Sequence, residues 1–196
     1  LAADFSWFSL GKDVDAYYRT ERRQRYRKFG KMKPIKPKSA ALAYLESRKI
    51  TAATAERYQI TVQIERENVL VFPFLDEKGN MQFIKYRKTD FNPEKDSNKE
   101  WCEANCKPIL FGMYQCNLEN KTLIMTEGQL DSLSVAESGI ENAVSVPNGK
   151  NGFTWVPYCW DWLQNFNTLI VFGDCERGSI TLLGDMRRRF HGTVKA

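Results

Sequence analysis

The 196-residue sequence contains a single histidine, His191, and only five cysteines. Five thiols do not make a disulfide framework in a chain this size, so they read as free thiols of a reducing compartment, the cytoplasm. Cys102, Cys106 and Cys116 stand four and ten residues apart with no histidine nearby. They fall short of a tetrahedral zinc set, which argues against zinc within this chain. No apolar run approaches the length that spans a membrane, and no signal-peptide pattern opens the sequence. Neither GxxxxGK(S/T) nor GxGxxG occurs, so two common glycine-rich nucleotide loops are absent. An initiator methionine is missing too, which predicts an excised fragment.

What is present is enough for a core: 42% of the residues are hydrophobic and 13% aromatic. The net charge of +5 is modest but unevenly placed. Residues 21–38, "ERRQRYRKFGKMKPIKPK", carry nine basic residues against one acid, among them Arg22, Arg23, Arg25, Arg27 and Lys28. Such a run suits a polyanion such as nucleic acid, or else is a solvated linker arm. Tyr26 and Phe29 within it are available for stacking on bases.

Periodicity divides the rest. Residues 11–29 could be helical until Gly30, and the Lys/Pro segment after it cannot continue a helix. Ser39 is expected to cap one helix, and Thr51 or Thr54 to start a second. Residues 68–88 are β-rich on both sides of "DEKGN" and predict a hairpin. Residues 90–108 read as a long irregular loop. From 120 strand and helix alternate: "TLIMT", "QLDSLSVAESG", "NAVSVP", "WVPYCWDWLQNF", "TLIVFG", then a helix in "DCERGSITLLGDMRRRF" and a further strand begun by "TVKA". That alternation predicts a mostly parallel sheet flanked by helices. Three segments follow: a 1–38 extension, a small mixed α/β subdomain with a hairpin over 39–118, and an α/β domain over 119–196.

Parallel sheets gather reactive groups at the carboxyl ends of their strands. Glu127 ends "TLIMT", Asp174 ends "TLIVFG", and Glu176 follows two residues on. If the strands are neighbours, these carboxylates converge, and a hard divalent cation, Mg²⁺, would relieve their repulsion. Gly128 and Gly178 are expected to let the chain turn from strand to helix beside the acids. Simpler readings remain open: Glu127 as a helix N-terminal charge, Asp131 as a capping or surface residue, Asp174 as an N-cap. On the hairpin, Lys85 and Arg87 share one strand face and Lys88 points opposite.

"EGQLD" at 127–131 and "DCERG" at 174–178 resemble the two motifs of the TOPRIM domain, shared by bacterial-type primases, type IA and II topoisomerases and some nucleases. Glu176 stands where the family pattern has Asp. "YLESRKITAATAERYQI" at 44–60, the hairpin and "KPILFG" at 107–112 are similar to the catalytic core of phage and bacterial primases, the primase half of phage primase–helicases above all. The resemblance covers about residues 40–196. The family carries a further acidic site and an upstream zinc module, which are expected outside this stretch.

The resemblance implies Mg²⁺-dependent synthesis of short RNA primers on single-stranded DNA, with Mn²⁺ as the alternative ion. Ribonucleoside triphosphates would be substrates, and a replicative helicase, fused or separate, a partner. Asp174 and Glu176 would hold Mg²⁺, and Glu127 would share a metal or accept the proton of the attacking hydroxyl. Asp131 would orient the helix start or bind metal through water. Lys85, Arg87 and Lys88, with Lys107 as a weaker candidate, would contact phosphates of nucleotide or template. The cytoplasm of a bacterial cell, with the protein phage- or plasmid-encoded, is the expected setting. The competing readings are a TOPRIM-type nuclease or topoisomerase-like enzyme, and a non-catalytic single-strand-binding module attached to a helicase.

Overall fold

The structure is a computed structural model and describes residues 2–4, 26–30, 37–148 and 152–189. Helix α1 (Ser39–Ser47) starts one residue earlier than the capping expectation. Lys38 is extended at the N-cap with no side-chain bond, and Ser39 is already helical. Helix α2 (Ala52–Arg57) does begin at Thr51, whose hydroxyl accepts from the Thr54 N–H at 3.4 Å. Residues 26–30 form no helix, contrary to the reading that ran one to Gly30.

An antiparallel sheet follows, in the order β2 (Thr61–Gln63), β3 (Arg66–Leu75), β4 (Met81–Lys88), β5 (Glu100–Cys102). The hairpin turn is fixed by Asp76, whose Oδ1 accepts the N–H groups of Lys78 and Asn80 at 3.0 and 2.9 Å. Gly79 at φ +76° completes it. Strands β2 and β5 were not expected. Each has three residues, too few to display a period, and β5 lies inside the stretch read as irregular.

The second sheet places β8 (Thr168–Phe172), β6 (Thr122–Thr126) and β7 (Ala143–Ser145) side by side and parallel. Helices α3 (Gln129–Glu137) and α4 (Val156–Leu163) connect them. Their ranges follow the expected alternation, trimmed at the ends. Strand β1 (Ala2–Asp4) lies antiparallel on the free edge of β8; the expected strand in "TVKA" is outside the described residues.

One correction bears on the acids. The stretch after β8 is not helical from Asp174. It forms a tight hairpin, β9 (Cys175–Glu176) and β10 (Ser179–Ile180), before α5 (Thr181–Arg189). Arg177 and Gly178, at φ +51° and +81°, make its two-residue turn, which demands left-handed backbone at both positions. Gly178 therefore turns strand into strand, not strand into helix. Asp174 caps no helix.

A single hydrophobic core joins the two sheets. Phe111 is its hinge point: its ring meets Tyr58, Phe72 and Phe74 at 5.4, 5.9 and 5.3 Å. Its backbone exchanges hydrogen bonds with Ser145 of β7 at 2.9 and 3.1 Å. The preceding Lys107 N–H donates to Gln82 of β4. The "KPILFG" segment thus ties the hairpin sheet to the parallel sheet and fixes how they face each other. Gly112 is required there, because a Cβ would lie 2.6 Å from the Ala143 carbonyl oxygen.

Candidate active site

Strands β6 and β8 pair in register with Thr126 opposite Phe172. Glu127 and Asp174 consequently leave neighbouring strands at the same end of the sheet. Glu127 reaches across that gap: its Oε2 lies 3.8 Å from where a Cβ on Gly173 would stand. The same Cβ would meet Ile180 at 2.8 Å, so Gly173 lets the β9–β10 hairpin close over the end of β8.

The start of α3 is tied down from several sides. Thr126 is fully buried, and its hydroxyl lies 2.9 and 3.2 Å from the carbonyl oxygens of Gly128 and Val144, either of which can accept its one proton. The Gln129 amide donates to Ser145 Oγ and the Val146 carbonyl at 3.1 and 2.9 Å. Asp131 Oδ2 accepts the Gly128 N–H at 3.1 Å and so satisfies a donor at the helix entrance. The capping reading of Asp131 holds, and it does not exhaust the residue. Burial of its carboxyl in the cleft, and then the facing Asp174 carboxylate, push its pKa up, although the residue as a whole is exposed. An acid in the first turn of α3 and one just past the end of β8 therefore feel each other's charge.

The hairpin sheet supplies the opposite wall. Lys85 and Arg87 project together into the cleft, as their shared strand face predicted. Glu100, directly across from Arg87 in the β4–β5 ladder, binds both: Lys85 Nζ donates to Oε2 at 2.8 Å, and Arg87 pairs with Oε1. Arg87 Nε also donates to the Tyr44 hydroxyl at 3.3 Å. Burial alone would raise the Glu100 pKa; the Lys85 and Arg87 charges outweigh it and hold the carboxyl below its ordinary range. The cleft, about 450 Å³ in its wider part, is lined by Lys85, Arg87, Glu100, Glu127, Asp131 and Asp174, with Arg48 at its inner end. Trp101, Cys102 and Asn148 complete its rim.

Other expected site residues stand elsewhere. Lys88 turns to the far face of the sheet and pairs with Asp96. The Lys107 ammonium lies 5.4 Å from the centre of the Tyr158 ring, outside the cleft. Of the basic arm, Arg22, Arg23 and Arg25 lie outside the described residues. Lys28 is exposed, and Arg27 pairs with Glu103 at 2.6 Å. Tyr26 and Phe29 are not presented for base stacking: Tyr26 meets Tyr158 edge-on with their hydroxyls 2.6 Å apart, and Phe29 packs against the core. Glu176 sits in β9, and its side chain is outside what the structure describes.

Glu100, Arg48 and Asn148 went unread in the sequence. Glu100 offered no signal, because the three-residue strand that carries it is too short to display a period. Arg48 and Asn148 offered none, since each follows an element whose orientation only tertiary packing sets. Burial pushes the Cys116 thiol up to about 12, which disfavours its thiolate. Among the described residues, no three Asp, Glu, Cys or His side chains cluster closely enough to cage an ion. The donor set fits a different style of binding: Mg²⁺ keeps several waters and is commonly held through one or two carboxylates together with substrate phosphates. Asp174, exposed at the strand end and opposed by Asp131, suits that role.

No protein-family model matches the sequence. A primase homolog protein of Arabidopsis thaliana is 25% identical over 162 residues, covering 74% of this chain and 45% of that protein. The chain thus spans less than half the length of that relative. The zinc-binding and RNA polymerase domains of the Aquifex aeolicus primase superpose with a TM-score of 0.63 at 16% identity, covering 94% of this chain and 54% of that one. The primase fragment of the bacteriophage T7 primase–helicase protein gives 0.61 at 20% identity, with 84% and 69% covered. The chain has the α/β fold of bacterial and phage primase catalytic cores.

Proposed function

We propose that this chain is the catalytic core of a DNA primase, joining ribonucleoside triphosphates into short RNA primers on single-stranded DNA. The observation that carries this reading is the two-walled cleft: Lys85 and Arg87 on the hairpin sheet face Asp131, in the first turn of α3, and Asp174, just past the end of β8. Its likeness in fold to primase cores supports the same conclusion.

The charge balance explains why a divalent ion would be needed. Arg48, Lys85 and Arg87 meet Glu100, Glu127, Asp131 and Asp174, three positive charges against four carboxylates. A bare triphosphate gains little from such a surface. Asp174 and Glu176 would hold Mg²⁺, with Mn²⁺ as the alternative. Bound there, the ion would neutralise phosphate charge and polarise the α-phosphate.

The chain's own groups do the rest. Lys85 and Arg87 grip non-bridging phosphate oxygens and orient the triphosphate. The attacking 3′-hydroxyl oxygen forms a bond to the α-phosphorus as the bond to the leaving pyrophosphate breaks. Glu127, at the strand end, takes the hydroxyl proton or shares the ion. Asp131 keeps the α3 entrance rigid beside them. A single DNA strand is the template, and a helicase, as in the T7 primase–helicase protein, is the partner that would deliver it.

The test is primer synthesis from radiolabelled ATP and mixed ribonucleotides on single-stranded DNA, with Mg²⁺ or with chelator. Asp174→Asn and Glu127→Gln are expected to lower the rate by about a hundredfold or more, typical of a lost electrostatic or proton-transfer group. Equal activity in all three proteins, or DNA nicking in place of primers, would overturn the reading.

A further inference from the structure

We infer that Glu100 is a positioning residue for polyphosphate binding: it holds the Lys85 ammonium and the Arg87 guanidinium together on the cleft wall. The inference rests on the proposed nucleotide-binding role of the cleft but goes beyond it, because Glu100 faces the cations and not the reacting atoms. Lys85 is only 8% exposed. A buried ammonium left without an anionic partner is costly, and the chain would relax to expose it. Glu100 supplies the partner at 2.8 Å and uses its second oxygen for Arg87.

The geometry leaves donors to spare. Lys85 has three N–H groups and gives one to Glu100. Arg87 has five; Nε goes to Tyr44 and NH1 to Glu100. Both heads are oriented, and each keeps free N–H groups for a ligand. The ladder holds Glu100 opposite Arg87, so the bracket is built on paired backbone rather than on a loop. Its carboxyl stays ionised through the neutral range, as the bracket requires.

The experiment measures the Kd of magnesium tripolyphosphate, and of MgATP, by calorimetry. The proteins are the wild-type chain, Glu100→Gln, Glu100→Asp, Lys85→Met and the Lys85→Met/Glu100→Gln double variant. Thermal melting checks that each is folded, and Glu100→Asp serves as the conservative rescue should Glu100→Gln unfold. Glu100→Gln is expected to weaken binding about tenfold, the loss of one charge-assisted hydrogen bond. Glu100→Asp should recover part of it. In the Lys85→Met background the Glu100→Gln effect should shrink well below tenfold, because Glu100 acts through the cations. Unchanged or tighter binding by Glu100→Gln, full additivity in the double variant, or no binding by wild type overturns the inference. A chain that binds with the expected pattern yet makes no primers overturns the primase reading and leaves this one standing.

Discussion

Gly128 offers a sharp test of how the acidic wall is built. Its backbone, φ −108° and ψ 155°, is open to any residue, so conformational strain does not demand glycine. Space does: a Cβ would stand 2.5 Å from Asp131 Oδ2, the atom that accepts the Gly128 N–H. Gly128→Ala must therefore push the Asp131 carboxyl off the helix entrance. Losing that capping bond costs about 0.5–2 kcal/mol. Restricting the unfolded chain returns about 0.4–1 kcal/mol. The two together span about −0.5 to +1.6 kcal/mol, centred on a destabilisation of about 0.5 kcal/mol, with a disproportionate loss of the proposed primer synthesis because Asp131 moves within the cleft. Gly184→Ala is the control. It lies inside α5 with open space around its Cβ, and should gain about 0.5–1 kcal/mol. Urea unfolding at constant m-value reads both. If Gly128→Ala stabilises as Gly184→Ala does, and Asp131→Asn has the same effect with or without it, the close-approach argument fails.

Two further outcomes follow from the packing and the charges. Phe111→Ala should cost about 3–5 kcal/mol in urea unfolding, since it removes a ring 1% exposed at the junction of both sheets; a loss below about 1 kcal/mol would mean the sheets are held together elsewhere. Asp131 carries a pKa raised first by burial and then by Asp174, so its carboxyl binds its proton more tightly in the folded state. Its favourable contribution is complete below the ordinary value of 3.8 and is lost as pH rises through the raised one. Asp131→Asn, which keeps an acceptor for Gly128, should therefore melt increasingly above wild type as pH climbs from about 4 to 7 in chelator. A difference that stays flat or reverses would remove the repulsion between Asp131 and Asp174.

How much of this was legible in the sequence depends on the distance over which each feature is decided. The parallel strands were readable because a buried strand and its following helix declare themselves in consecutive residues. The Lys85/Arg87 pairing was readable for the same reason, since side chains alternate along a strand wherever it lies. The hairpin after Asp174 was not. "CERGSI" is short and sits against an amphipathic stretch, and only the left-handed backbone at Arg177 and Gly178 separates the two. Three-residue strands carry no period, so β5 was invisible, and Glu100 with it. Tyr26 and Phe29 looked like free aromatics because nothing local reveals Tyr158 or the core beneath them. The cleft's charge balance is the extreme case. Its seven ionisable groups come from α1's end, two strands of one sheet, two strand ends of the other and the first turn of α3, and no window of sequence contains the sum. On the proposed reading that sum matters, because a wall with three cations and four carboxylates would favour a triphosphate only if a divalent ion arrived with it.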